Sequence, residues 1–101
     1  MTQPTGRITR LNAIVRGAVQ GVGYRYWAHH TAERFGGQVT GLVRNGRDGT
    51  VEVEAEASDR SLLEAILIEL HQGPTAANVE SVEQVWEENV APRYHGAFRV
   101  A

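Results

Sequence analysis

The sequence predicts an α+β sandwich, in which two helices cover one face of a β-sheet. Two segments carry apolar residues at helical spacing, and segments of strand-like alternation lie before, between and after them. Glycine-containing turns separate several of these elements. A chain of 101 residues is long enough for one small domain. We expect residues 1–6 to be a flexible N-terminus and residues 7–101 to form a single domain.

The first strand is predicted between Arg7 and Gly17, where apolar and polar side chains alternate. Such alternation is typical of a strand with one buried face and one solvated face. The apolar positions are Leu11, Ala13 and Val15, and the polar positions are Arg10, Asn12 and Arg16.

The first helix is predicted from Tyr24 to Phe35, because apolar residues recur there at spacings of three and four. Gly36 and Gly37 supply its C-terminal stop. The positions expected to face the core are Tyr24, Ala28, Thr31, Ala32 and Phe35.

A β-hairpin is predicted next, with Gln38–Asn45 as its first strand and Gly46–Gly49 as its loop. The dipeptide Asp48-Gly49 is a strong turn signal. The following strand alternates small apolar residues with glutamates, so we expect the glutamates to form a solvated face. These glutamates are Glu52, Glu54 and Glu56.

The second helix follows, and Ser58 is placed to cap its N-terminus, with Asp59 in the first turn. Residues 79–88 and 94–100 then give two strand segments, which could be one final strand split in two. The resulting βαββαβ order predicts a ferredoxin-like topology, an antiparallel sheet with both helices on one face. The buried stripe of the second helix comprises Leu62, Leu63, Ile66, Leu67 and Leu70.

The composition excludes several functional classes. A formal net charge of −2 argues against a general nucleic-acid surface. The chain has no cysteine, which excludes a disulfide framework, thiol catalysis and a cysteine-based zinc site. No apolar run approaches the ~20 residues of a membrane span, and the N-terminal residues are polar. We expect a cytoplasmic monomer with no nucleic-acid or membrane partner.

The stretch GAVQGVGYR, Gly17–Arg25, is the first candidate site. A strand that runs through a glycine-rich loop into a helix can bind an anion with its backbone N–H groups. Arg25 lies just inside the helix, and its planar guanidinium suits a phosphate group. The glycine spacing fits neither a nucleotide P-loop nor a dinucleotide fingerprint. An ordinary turn followed by a solvated arginine is the alternative.

Asn45 is the second candidate, at the end of the second predicted strand. Asparagine is common in turns, which is the simpler interpretation. In this topology, however, we expect the second strand to pair antiparallel near the first, so that its end can lie beside the start of the first helix. An amide in that place could hold a water molecule with both a donor and an acceptor.

The remaining candidates favour structural roles. The four histidines lack the spacing of a metal site, and the two tryptophans are interpreted as packing residues. These side chains are His29, His30, His71, His95, Trp27 and Trp86.

The two candidate segments together resemble the signature of the acylphosphatase family. The first is VQGVGYR, Val19–Arg25, and the second is GLVRNGRDGTV, Gly41–Val51. The segment Gly73–Glu83 and the closing FRV are similar to later parts of the family pattern. The resemblance covers about residues 8–100.

This resemblance implies a small ferredoxin-like enzyme that hydrolyses acyl phosphates to a carboxylate and inorganic phosphate, without metal or other cofactor. It implies that Arg25 and the loop amides bind the phosphoryl group, and that Asn45 positions the attacking water. The expected partner is a small-molecule acyl phosphate. The loop residues are Gln20, Gly21, Val22, Gly23 and Tyr24.

The chain departs from the family pattern at three places. The connection from Phe35 to Gly41 is longer than in typical members, which could displace Asn45. Ala28 stands where the family often has threonine, so a supporting hydroxyl is lost. Ala57 stands where many members have glycine, which affects only the local turn.

Two other functions stay open on the sequence. The domain could bind a phosphate-like or carbamoyl-phosphate-like anion without turnover, since VQGVGYR also resembles the N-terminal domain of hydrogenase maturation carbamoyltransferases. Those proteins are far longer and carry zinc-finger motifs. The same topology also serves RNA-recognition domains, which need aromatic side chains on the open sheet face. The glutamates of the hairpin argue against that function.

Overall fold

A computed structural model describes residues 6–101 of the chain. Apart from Gly6, the expected flexible segment 1–6 lies outside the described residues. The elements are β1 Ile8–Ala18, α1 Tyr24–Glu33, a short 3-10 helix Gly36–Gln38, β2 Thr40–Asn45, β3 Val51–Ala57, α2 Arg60–Gln72, β4 Asn78–Val90 and β5 Arg99–Val100.

The five strands form one sheet in the order β4-β1-β3-β2-β5. The βαββαβ order and the split final strand are confirmed. The sheet is mixed rather than antiparallel throughout, because β5 runs parallel to β2 while all other neighbours are antiparallel. After β4 the chain crosses from one edge of the sheet to the other, so it enters beside β2 in the same direction.

The expected antiparallel pairing of the second strand near the first is wrong, because β3 lies between β1 and β2. Both strands are antiparallel to β3, so they run parallel to each other. Their C-terminal ends therefore lie at the same edge of the sheet. The loop after β1 and Asn45 at the end of β2 are brought to one end of the molecule.

The hydrophobic core lies between the sheet and the two helices. The apolar face of β1 is fully buried, and Trp27 and Trp86 pack against the core as partly buried residues. Phe35 is only half-buried, because α1 ends two residues before it. The predicted helical core positions that are buried are Tyr24, Ala28, Thr31, Ala32, Leu63, Ile66 and Leu70.

The other face of the sheet differs from the prediction. Glu56 was expected in solvent, but it is 1% exposed, and Arg10 opposite it is 4% exposed. Arg10 Nε donates to Glu56 Oε2 over 2.7 Å, and the backbone N–H groups of Arg93 and Tyr94 donate to the same carboxylate. The crossing segment between β4 and β5 covers this part of the sheet and excludes water from Glu56.

Several element boundaries also differ. Asp59, not Ser58, caps α2. Its carboxylate accepts from the hydroxyl and from the N–H of Ser61, and these hydrogen bonds lower the pKa of Asp59. Gln38 belongs to the 3-10 helix rather than to β2. The last strand is shortened to two residues, because the chain before Arg99 crosses the sheet instead of pairing with it.

Among residues 6–101, no helix has both the length and the hydropathy that crossing a bilayer requires.

Candidate functional site

The glycine loop between β1 and α1 has the backbone geometry of an anion cradle. Gly21 has φ 75° and Gly23 has φ 81°, a left-handed conformation that favours glycine. Gly23 caps α1 without a side-chain hydrogen bond. The first N–H groups of α1 consequently have no capping side chain, and they carry the partial positive charge of a helix N-terminus.

Arg25 and Asn45 meet at this loop. Both line a cavity of about 80 Å³ together with loop residues. The prediction that the end of β2 lies beside the start of α1 is confirmed by this cavity. Gln20 and Val22 are not among its lining residues. The full lining is Val19, Gly21, Gly23, Tyr24, Arg25, Tyr26 and Asn45.

The side chain of Arg25 makes few contacts within the protein. Its Nη1 donates to the backbone oxygen of Ala101 over 2.9 Å, which uses one of the five N–H donors of a guanidinium. Its guanidinium carbon lies 5.8 Å from the ring centroid of Tyr26. β5 places Ala101 here, because the N–H of Ala101 donates to Val43 of β2 over 2.8 Å. The arginine is therefore oriented by the sheet edge while it faces the cavity.

The side chain of Gln20 joins the loop to the hairpin, a role that the sequence analysis missed. Its Nε2 donates to the carbonyl of Gly46 over 2.9 Å and to the carbonyl of Thr50 over 2.8 Å. Gly46 follows Asn45 directly, so Gln20 fixes the position of Asn45 relative to the loop. The only signal in the sequence for this contact is an amide side chain long enough to reach a neighbouring segment.

Tyr24 anchors the start of α1 in the core rather than presenting its side chain to the cavity. The phenol is 1% exposed, and its hydroxyl donates to the carbonyl of Leu70 over 2.6 Å. Burial raises the pKa of this phenol. The ring also packs against Trp27, with centroids 5.2 Å apart. What Tyr24 can offer an anion is its backbone N–H.

The departures from the family pattern lie away from the cavity. The longer connection forms the 3-10 helix Gly36–Gln38, and Val39 after it is buried in the core. The added residues lie before β2, and Asn45 at its far end still lines the cavity. Ala28 is a core residue and does not line the cavity, so a hydroxyl there would support the helix rather than contact an anion.

The electrostatics of the site suit an anion. The residues that line the cavity include Arg25 and no carboxylate or imidazole side chain. Within residues 6–101, no three His, Cys, Asp or Glu side chains are grouped so that they could hold a metal ion. The binding groups on offer are a guanidinium, an amide and backbone N–H donors.

A protein-family comparison decides the membership of this chain. The model of the family described as "Acylphosphatase" matches residues 11–100. The chain belongs to the acylphosphatase family. It is thus an enzyme of acyl phosphate hydrolysis, and the family resemblance predicted from Val19–Arg25 and Gly41–Val51 is confirmed.

Acylphosphatase relatives agree with this membership over most of their length. The chain is 42% identical to an acylphosphatase of Salinibacter ruber over 96 residues, which is 95% of this chain and 96% of the relative. The structure of an acylphosphatase from Coxiella burnetii is similar, with a TM-score of 0.80, 37% identity and full coverage of both chains. The crystal structure of acylphosphatase from Bacillus subtilis has a TM-score of 0.82 at 27% identity, covering 92% of this chain and 98% of that one. The ferredoxin-like acylphosphatase fold is confirmed.

Proposed function

We propose that this acylphosphatase binds the phosphoryl group of its substrate with the Gln20–Tyr24 loop amides and Arg25, and that Asn45 positions the attacking water. We further propose that hydrolysis needs no metal ion. The observation that carries this proposal is the shared cavity, which Gly21, Gly23, Arg25 and Asn45 line together. The chain's action as a monomer in the cytoplasm stays a prediction.

The chemistry of an acyl phosphate fits such a site. Its leaving group is a carboxylate, whose conjugate acid has a pKa of about 4, like an Asp or Glu side chain. So weak a base leaves without protonation, and the cavity lining described above contains no general acid. Phosphoryl transfer then depends on positioning and on stabilising the charge of the equatorial oxygens. Arg25 and the loop N–H groups supply that stabilisation.

Asn45 supplies the positioning. Its side-chain amide has both a donor and an acceptor, so it can orient a water molecule toward the phosphorus. The new bond forms between the water oxygen and phosphorus, while the bond from phosphorus to the acyl oxygen breaks. The electron pair leaves with the carboxylate, and the water proton passes to a phosphate oxygen.

The decisive experiment measures release of benzoate from benzoyl phosphate, with and without EDTA and with added inorganic phosphate. We expect turnover that EDTA leaves unchanged and that inorganic phosphate inhibits competitively. Loss of activity in EDTA, restored by a divalent cation, would disprove the metal-free mechanism. Binding of phosphate without benzoate release would instead favour a binding module.

The variant Asn45→Ala separates water positioning from phosphate binding. We expect kcat to fall by about 10²-fold, because the proximity effect on water is lost, while the inhibition constant of phosphate changes little. Asn12→Ala is the matched control, since Asn12 lies on the open sheet face and bonds to Glu87. An Asn45→Ala enzyme with the original kcat would refute the water-positioning role.

A further inference from the structure

The side chain of Tyr26, at the rim of the cavity, has no role in the mechanism proposed above. Tyr26 lines the cavity, yet its side chain is 66% exposed. Among residues 6–101, the other exposed large hydrophobic side chains are Ile68 and Val85, and neither lines this cavity. A large aromatic ring exposed beside a binding site is available to contact a ligand.

The helix fixes the place of this ring. Tyr24 points into the core and Tyr26 points out, because two residues turn the helix by more than half a revolution. Arg25 lies between them, and its guanidinium carbon is 5.8 Å from the Tyr26 ring centroid. A phosphoryl group held by Arg25 would thus lie next to the aromatic ring.

The exposed side of the cavity determines what a bound substrate meets beyond its phosphoryl group. A phosphoryl group bound by Arg25 and the loop would occupy part of this cavity of about 80 Å³. The acyl group, joined to phosphorus through one oxygen, would extend toward the exposed side, where Tyr26 lines the cavity. The rest of the lining offers it little apolar surface: Val19 is 1% exposed, and the loop contributes glycine backbone.

We propose that Tyr26 is a specificity-determining residue that packs against the acyl group and favours aromatic acyl phosphates over acetyl phosphate. This inference rests on the proposed placement of the phosphoryl group at Arg25. An aromatic acyl group can stack on the ring and remove apolar surface of both partners from water. An acetyl group has too little surface to gain from the same contact.

The test compares kcat/KM for benzoyl phosphate and acetyl phosphate in the wild type, Tyr26→Ala and Tyr26→Phe. We expect Tyr26→Ala to lower the benzoyl-to-acetyl ratio of kcat/KM by about three- to tenfold, mainly through KM for benzoyl phosphate. Tyr26→Phe keeps the ring and should keep the ratio. Ile68→Ala is the matched control, because Ile68 is equally exposed, at 66%, and lies on α2.

Each outcome is informative. If Tyr26→Ala lowers both substrates equally, the ring orients Arg25 rather than contacting the acyl group, and the inference is wrong. An unchanged ratio also overturns it, provided that circular dichroism shows a folded variant. The proposed function is tested separately by wild-type turnover of acetyl phosphate and its inhibition by phosphate, neither of which depends on an aromatic contact.

Discussion

Two arginines of this chain contrast a side chain that stabilises the fold with one that we propose binds the substrate. Arg10 is 4% exposed and donates to the carboxylates of Glu56 and Glu87 and to the carbonyl of Ala91. Arg25 is half-buried and donates to one backbone oxygen, that of Ala101. The first guanidinium is held by three partners within the fold, whereas the second uses one of its N–H donors there.

The groups around each arginine explain why Arg10 and Arg25 differ. Burial opposes the charged form of Arg10, but the bonds to Glu87 and Glu56 outweigh it and raise the pKa of Arg10. Around Arg25, the cavity provides backbone N–H groups and no carboxylate side chain. A guanidinium with unused N–H donors beside such backbone groups can attract an anionic substrate.

The largest effect is expected from Arg10→Met. It leaves the buried carboxylate of Glu56 without its counter-ion, a change that costs about 3–5 kcal/mol in comparable ion pairs. Because the N–H groups of Arg93 and Tyr94 still donate to Glu56, we expect the lower end, about 3 kcal/mol. Urea unfolding measures the loss in the free energy of unfolding.

Two further results sharpen this prediction. The double variant Arg10→Met, Glu56→Gln should recover part of the lost stability, since a neutral amide still accepts from both N–H groups. The folded fraction of Arg10→Met should keep the wild-type kcat. A stable Arg10→Met protein with reduced kcat would show that Arg10 serves activity rather than stability.

Arg25→Lys is expected to lower activity and to leave stability little changed, the reverse of Arg10→Met. The charge is kept, but the planar fork that we propose binds two phosphate oxygens is lost. We expect kcat/KM to fall by about 10²-fold, equivalent to roughly 2.7 kcal/mol of transition-state stabilisation, with the free energy of unfolding little changed. Arg47→Lys, in the exposed hairpin loop, is the control. Full activity in Arg25→Lys would show that charge alone suffices.

Gln20→Met probes the link between the loop and the hairpin. The variant loses the two hydrogen bonds to Gly46 and Thr50, and we expect a cost of about 1 kcal/mol, because the side chain is exposed. Asn45 should lose its fixed position, so kcat should fall more than the affinity for phosphate. Gln38→Met, at the 3-10 helix, serves as the control. Equal losses of kcat and phosphate affinity would place the effect on the loop alone.

The smallest effect concerns acid stability. The hydrogen bond from Arg10 lowers the pKa of Glu87 in the folded protein. The stabilisation is therefore present above the unfolded pKa of a glutamate, about 4.3, and is lost as the pH falls through the folded value. Glu87→Gln should flatten the decline in unfolding free energy below about pH 4.3 and leave activity unchanged. An unaltered pH profile would contradict this linkage.

The sequence predicted which strand residues share a face, but it did not predict which parts of the chain cover that face. Alternation places Glu52, Glu54 and Glu56 on one face, and the structure agrees. It cannot show that the crossing segment after β4 buries Glu56, because that contact depends on where a distant part of the chain returns. The partnership of Arg10 and Glu56 follows from strand register, which local pattern does not specify.

In the candidate site, too, some residues could be predicted from the sequence and others could not. The glycine loop and Arg25 could be identified from local sequence, and Asn45 was joined to them by topology and by the family resemblance. The hydrogen bonds from Gln20 to the hairpin and the exposed ring of Tyr26 could not be predicted in the same way. Their roles depend on side-chain directions that are settled only when the loop, the hairpin and α1 are packed together.

The interior position of β1 in the sheet also has a kinetic consequence. β1 is the first strand made, yet its neighbours in the sheet come much later in the chain: Leu11 pairs with Ala55, and Ile8 pairs with Val90. Contacts between residues so far apart slow folding, because the entropy of closing long loops is lost before the contacts form. A nascent chain that stops before β4 leaves one edge of β1 open. Folding should therefore be completed only after synthesis has passed β4, and the end of β1 that leads into the loop gains its partners Asn78 and Val79 at that stage.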